Sequence, residues 1–214
     1  PMGQIMTSPR GMSAERIGVV GLGVGALACH ATPSQSWQFY EIDPLVDEIA
    51  RDPAQFSYVS ACTPEAPTHL GDARVVLAGQ DLTYDILVID AYSSDAVPMH
   101  LTTREAMALY LDRLAPGGLL VMHISNRFFA LEAPIARMAE DLGLDMRIQY
   151  YVDSGDPSVG DKSSVVAVLA RDAAGLGALA TDARWLDAHA HDFPLWTDDH
   201  ANPLSALVGV TAGH

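Results

Sequence analysis

The chain has one lysine, Lys162, among 12 basic residues, against 27 acidic ones, and its net charge is −15 at neutral pH. A polyanion such as a nucleic-acid backbone is therefore repelled, whereas a small cation is attracted. Cysteine is equally scarce. Cys29 and Cys62 are too few for a disulfide framework, and no C-x-x-C or H-E-x-x-H pattern marks a metal site. That usage predicts reduced thiols in a reducing, cytoplasmic setting. No apolar run reaches the roughly 18 residues of a spanning helix, and no basic-then-apolar leader opens the chain, so it reads as a soluble domain. Strand pattern begins only at about Arg16, which predicts that residues 1–15 are a lead-in from an upstream part of a longer protein.

What is present is apolar and periodic. Hydrophobic residues make up 49% of 214, enough for one sizeable core, and the length favours a single α/β domain over about 16–207 with a tail at 208–214. Strands are predicted at about 16–21, 37–42, 69–71, 85–90, 118–124, 146–152 and 164–170, with helices between them. This alternation predicts a mostly parallel seven-stranded sheet with helices on both faces. The clearest helix runs from Thr102 to Leu114: Thr102 caps it, Glu105 completes a capping box, and Pro116-Gly117-Gly118 ends it. Another is expected over Asn126 to Leu142, before Gly143. The last two strands, joined by DSGDPSVGDKS, are expected to pair antiparallel at the sheet edge.

The stretch GVVGLGVGAL follows the first strand and opens the first predicted helix. Gly21, Gly23 and Gly25 let the backbone turn tightly and approach a ligand, with helix N–H groups facing it. Dinucleotides and adenosyl sulfonium compounds both use such a loop, and G-x-G-x-x-A through Ala26 fits the dinucleotide fingerprint. Glu41 closes the second strand, where a carboxylate can hold a ribose diol in either class. Asp72, after the third strand, can receive an adenine amino group, and Ala73 leaves room for the ring. The Pro-Gly-Gly turn of LAPGGLLVMH resembles that of S-adenosylmethionine-dependent methyltransferases and moves the reading toward a sulfonium ligand over NAD.

In DILVIDAYSSDAVP, Asp90 ends the fourth strand and Asp95 follows in a polar turn. Ligands of open parallel sheets bind outside the carboxyl ends of the strands, so both acids are expected beside the reactive part of a bound sulfonium. An alkylammonium is no nucleophile until a base removes its proton, which makes the pair candidate catalytic carboxylates. The alternative is that Asp95 caps a turn and Asp90 binds only the ligand's amino group. WTDD adds Asp198 and Asp199 if the tail folds back, and Tyr92 and Trp196 can wall a cation. His100, His123, His189 and His191 show no triad or metal spacing and read as surface or strand-end residues.

Together GVVGLGVGAL, FYEIDP, LGDAR, YDILVIDAYSSDAVPMHLTTREAMALYLDRLAPGGLLVMHISNR and LWTDDHANPLSAL resemble the spermidine synthase-like (polyamine aminopropyltransferase) catalytic domain, in the form fused behind a membrane-spanning region in bacteria. The resemblance covers about Arg16 to Leu207. It implies a Rossmann-like methyltransferase fold and aminopropyl transfer from decarboxylated S-adenosylmethionine to putrescine, giving spermidine and methylthioadenosine without a metal. It implies also that Gly21, Gly23 and Gly25 form the cofactor loop, Glu41 holds the ribose, Asp72 and Ala73 the adenine, and Asp90 with Asp95 the amine. The chain departs from the family at Val24, where soluble spermidine synthases carry an acid. It departs again in the longer loop after Asp90, and in lacking the family's small N-terminal β domain. Two other readings stay open: a methyltransferase or other enzyme consuming intact S-adenosylmethionine, and a non-catalytic adenosyl-ligand-binding domain of a membrane protein. A homodimer suits any of them.

Overall fold

The computed structural model of the chain describes residues 1–91, 98–156, 158 and 162–208. Two short helices, α1 (Met2–Thr7) and α2 (Pro9–Ser13), precede β1 (Arg16–Val20) and β2 (Ser36–Glu41). The chain continues through α3 (Pro44–Arg51), α4 (Tyr58–Cys62), β3 (Thr68–Leu70), α5 (Ala73–Ala78) and β4 (Tyr84–Ile89). Then come α6 (Arg104–Asp112), β5 (Leu114–His123), α7 (Glu132–Asp141), β6 (Asp145–Tyr151), β7 (Ser164–Ala170), α8 (Ala173–Leu176) and β8 (Leu186–Asp187).

The strands form one sheet in the order β3-β2-β1-β4-β5-β7-β6-β8. From β3 to β5 every pairing is parallel, while β7 lies antiparallel to both β5 and β6. The predicted antiparallel pair is therefore present, with β7 inside the sheet. The eighth strand, two residues long, pairs with β6 and lengthens the expected seven-stranded sheet.

Both faces are covered, which explains why the central strands read as unbroken apolar runs. Side chains alternate between two cores, as the two-residue strand period requires. Leu87 and Ile89 of β4 with Leu120 and Met122 of β5 join the core under α5, α6 and α7. Ile86, Val88, Leu119 and Val121 join the opposite core under α1, α4 and α8. Residues 1–15 take part in that second core: Ile5 and Met6 are buried in it, so the segment expected as a lead-in packs as part of the domain.

Helix ends shift where tertiary contacts take over local signals. Thr103, not Thr102, caps α6, its Oγ1 accepting from Ala106 N at 3.2 Å. Glu105, expected in a capping box, instead accepts the N–H of Asp198 at 2.9 Å. Pro116-Gly117-Gly118 lies inside β5, where the pairing with β4 slips register, rather than in a stop after the helix. Residues 126–130 are not helical: Asn126 Oδ1 accepts from Phe128 N and Phe129 N, and that local turn competes with a helix.

The cysteines contradict the reduced-thiol expectation, since Cys29 and Cys62 form a disulfide across a sequence separation of 33. Two cysteines cannot make a framework, but here they tie the segment after the glycine loop to α4, a proximity invisible along the chain. None of the helices among the described residues is long and apolar enough to cross a membrane.

Closing a loop of this size stabilises by about 3–4 kcal/mol in the chain-entropy account. Thermal melts with and without reductant are expected to differ by roughly 10 °C, and the Cys29→Ser/Cys62→Ser protein should melt like the reduced one in either buffer. Superimposable curves would show that the bond does not contribute.

Candidate functional site

The site is built on the adjacent carboxyl ends of β1, β2, β4 and β5. Gly21 takes φ +91° directly after β1, and a Cβ there would stand 2.3 Å from the carbonyl oxygen of Asp90. Only glycine lets these two strand ends pass so closely. Gly25, at φ +76°, would bring a Cβ to 2.3 Å from Val59 Cγ2, so α4 presses against the same loop. Gly23 has open space around it and borders the crevice. The expected first helix is absent: Ala26–His30 is a five-residue 3-10 segment. It offers a pyrophosphate none of the aligned dipole of a multi-turn helix.

Glu41 is almost fully buried and its carboxylate is already engaged. Oε2 accepts from Leu22 N at 3.0 Å, and Oε1 accepts from Ile42 N at 2.9 Å and Asp43 N at 3.1 Å. It clamps the glycine loop to the end of β2. Asp72 also serves structure, its Oδ1 capping α5 through Arg74 N and Val75 N. Its Oδ2 lies 3.0 Å from His100 Nε2. Glu41, Asp72, Ala73, His100 and Asp90 line one crevice of about 280 Å³. A smaller cavity of about 160 Å³ under Gly21–Leu27 shares Asp90 with it and includes Val24.

Beneath the crevice, Tyr40 and Tyr84 share a short hydroxyl–hydroxyl hydrogen bond, and Tyr40 donates to Gln80 Oε1 at 2.6 Å. Burial, and then the bond to Tyr84, push the Tyr40 phenol far up, so it stays protonated as a donor. A larger cavity of about 380 Å³ lies at the other end of β2, walled by 31–37 and 62–67. Its place at the amino ends of the strands sets it apart from the crevice, because ligands of open α/β sheets sit at the carboxyl ends.

Asp90 does not stand alone. Its Oδ1 accepts from His123 Nδ1 at 2.7 Å, and His123 Nε2 lies 2.8 Å from Ser125 Oγ. Ser125 Oγ in turn accepts from Val165 N at 2.7 Å. A carboxylate can only accept, so it requires the proton on Nδ1; the neutral imidazole then receives the Ser125 hydroxyl proton at Nε2. His123 is a strand-end residue, as expected, but it has partners that its spacing along the chain does not reveal. Spacing along the chain hides this contact, but strand register shows it: Ile89 pairs with Met122, so the next residues, Asp90 and His123, emerge side by side.

The tail residues Trp196, Asp198 and Asp199, expected to bind substrate, are not among the residues that line the crevice. Trp196 is buried in the core, 5.5 Å from the Phe193 ring, and cannot wall a ligand. Asp198 is bound by both terminal nitrogens of Arg74 and by Thr103 Oγ1 at 2.7 Å, fastening the tail across α5 and α6. Asp199 is exposed and lies outside the crevice lining. Tyr92 and Asp95 fall outside the described residues.

No family model matches the chain. A polyamine aminopropyltransferase from Vibrio vulnificus is 33% identical over 113 residues, covering 50% of this chain and 36% of that protein. A probable spermidine synthase from Corynebacterium glutamicum superimposes with a TM-score of 0.62 at 17% identity, covering 94% of this chain and 81% of the other. The fold is Rossmann-like, as in the solved spermidine synthases and O-methyltransferases it superimposes on. An O-methyltransferase from Streptomyces achromogenes, solved in complex with SAM, shares it with a TM-score of 0.56 at 16% identity, covering 78% and 76% of the two chains. The chain thus spans about a third of that polyamine aminopropyltransferase and most of the length of both solved structures.

Asp198→Asn tests how firmly this ion pair anchors the tail. Arg74 holds the Asp198 carboxyl below its ordinary value. Its stabilisation is therefore present above about pH 4, the unfolded carboxylate's value, and is lost as pH falls through the lower folded one. Because the group is substantially exposed, the variant should lose on the order of 1 kcal/mol or less at neutral pH. A thermal melt at neutral pH that does not move would show that the Arg74–Asp198 pair contributes nothing to holding the tail.

Proposed function

We propose that the chain is a transferase that moves the aminopropyl group of decarboxylated S-adenosylmethionine to a small amine such as putrescine, releasing methylthioadenosine. The observation that carries this reading is the single crevice that gathers Glu41, Asp72, Ala73 and Asp90 from successive strand ends. The sequence likeness to a polyamine aminopropyltransferase supports it. So does the glycine loop, whose short 3-10 continuation suits a nucleoside without phosphates better than a dinucleotide.

In this reading Glu41 has two tasks. Three backbone N–H groups occupy part of its acceptor capacity, and a ribose hydroxyl takes what remains. Asp72 faces the adenine amino group, with Ala73 at the wall and the exposed side chain of Ile42 at the lip. Asp90 stands where the two cavities meet, beside the position of the sulfonium arm. The bond from carbon to sulfur breaks as the amine nitrogen attacks, and its electron pair stays on sulfur.

Methyl transfer from intact S-adenosylmethionine is the second reading. It is favoured by the shared fold with the O-methyltransferase and by Val24, an apolar residue in the cavity where an acid would grip the aminopropyl amine.

Calorimetry with methylthioadenosine, S-adenosylmethionine and its decarboxylated form separates the readings. Tightest binding of methylthioadenosine or the decarboxylated form is expected, and Glu41→Gln should weaken it at least tenfold, about 1.4 kcal/mol. Preference for the carboxylated form, with S-adenosylhomocysteine as product, would establish the methyltransferase instead. Binding without turnover, unchanged by Asp90→Asn, would leave a ligand-binding domain.

A further inference from the structure

The Cys29–Cys62 disulfide joins two segments that meet at the glycine loop. Cys29 belongs to the 3-10 segment Ala26–His30, which starts directly after Gly25, and Cys62 ends α4. One turn back on α4, the fully buried Val59 reaches Gly25 so closely that a Cβ there would stand 2.3 Å from its Cγ2. The loop therefore rests on α4, and the disulfide holds α4 against it. That helix has five residues, and its Ser57 N-cap makes no side-chain hydrogen bond to it. A helix so short does not persist alone, so its place depends on tertiary contacts, with Val59 and the disulfide among them. Gly23 lines the crevice and Gly21–Leu27 line the smaller cavity, so a shift of the loop reaches both.

The bond is also within reach of solvent. Cys29 is exposed, and the half-buried Cys62 lies on the wall of the cavity of about 380 Å³ at the amino ends of the strands. Exposed disulfides are the labile ones, because exchange requires a thiolate to approach one of the two sulfurs.

We propose that Cys29–Cys62 is a thiol-exchange site whose oxidation state sets the affinity of the crevice for its adenosyl ligand, a reading that rests on the transferase function above. The thiolate of a small thiol attacks Sγ of the exposed Cys29, the sulfur–sulfur bond breaks, and its electron pair leaves on Cys62, which takes a proton from solvent. A second small thiolate then attacks the mixed disulfide and releases Cys29. The protein gains two electrons and two protons, and the two small thiols are oxidised to their disulfide. What remains to hold the loop is Val59 in the core and the His30 ring against Gly3 of α1. The loosened loop must be ordered when ligand binds, which lowers affinity. By linkage the ligand favours the oxidised protein by the same factor.

The test compares the oxidised chain, the chain reduced by excess dithiothreitol, and the Cys29→Ser/Cys62→Ser protein, below the melting temperature of the reduced form. Hydrogen exchange reads the loop without any ligand. The amides of Gly25, Ala28, Ala61 and Thr63, each bonded within this region, should exchange roughly tenfold faster after reduction, while those of β4 and β5 keep their protection. Equal rates would overturn the mechanical link. Methylthioadenosine should bind the reduced and serine proteins about tenfold more weakly. Saturating methylthioadenosine should in turn shift the disulfide equilibrium in glutathione buffers by the same tenfold, about 30 mV. Equal affinity in both redox states would overturn the proposal and leave the transferase reading standing, whereas no binding in either state would overturn both. Alkylation after brief exposure to glutathione should find the mixed disulfide on Cys29 and the alkyl group on Cys62; an adduct on Cys62, or none, would overturn the order of attack.

Discussion

The passage of Gly21 against the carbonyl of Asp90 is the contact on which the rest of the site depends. A methyl group in that gap would sit 2.3 Å from the oxygen, so the ends of β1 and β4 meet only because one of them has no side chain. Asp90 N donates to Val20 O at 2.7 Å and Gly21 N donates to Tyr40 O at 2.8 Å, which locks the end of β1 between its two neighbours. From this lock follow the height of the glycine loop, the placement of Glu41 beneath Leu22 and the emergence of Asp90 into the crevice. The cores on either face of the sheet supply rigidity, because β4 and β5 bury nearly every side chain and cannot slip by one residue without turning one core into the other.

The acids at this edge do structural work before they meet any ligand. Glu41 satisfies three backbone donors, Asp72 caps a helix and faces His100, Asp90 aims an imidazole, and Asp198 fastens the tail to Arg74. The charge of −15 is in part a consequence of this use of carboxylates at strand ends and helix caps. A carboxylate with such partners is oriented in advance, so a ligand finds acceptors whose rotamers are already settled. This also separates the acids near the site from one another: Asp198 is consumed by its ion pair, whereas Asp90 keeps a surface in the crevice.

Most of the sheet, and the gathering of Glu41, Asp72 and Asp90 at its edge, are legible in the sequence, because they arise from local pattern. Unbroken apolar runs mark β1, β4, β5 and β7, and positive-φ glycines mark the turn after β1. What is not legible arises between segments distant in sequence. Asp198 takes the Glu105 carboxylate through its N–H, so the capping box dissolves and the cap moves to Thr103. Trp196 has the composition of a ligand wall, yet Phe193 and the surrounding core take it inside. Cys29 and Cys62 are 33 residues apart in sequence, and only the packing of α4 against the glycine loop brings them together.

The hidden histidine shows where such reading can be extended. Neighbouring parallel strands of matched register deliver their following residues to adjacent positions, so a register inferred from the apolar cores pairs Ile89 with Met122 and, one step on, Asp90 with His123. One step further, the antiparallel β7 offers Val165 N to Ser125. The polarity of the resulting chain is set at both ends, by a backbone N–H that can only donate and a carboxylate that can only accept. Between them the serine and imidazole protons have one consistent arrangement while the imidazole is neutral, and it is the arrangement that leaves Nε2 able to take a proton. Val24, where a soluble spermidine synthase is expected to place an acid, lines a cavity with Asp90 that neither His123 nor Ser125 lines. The hydrogen-bonded chain of Asp90, His123 and Ser125 thus stands where β4 and β5 end, set by strand register rather than by sequence proximity.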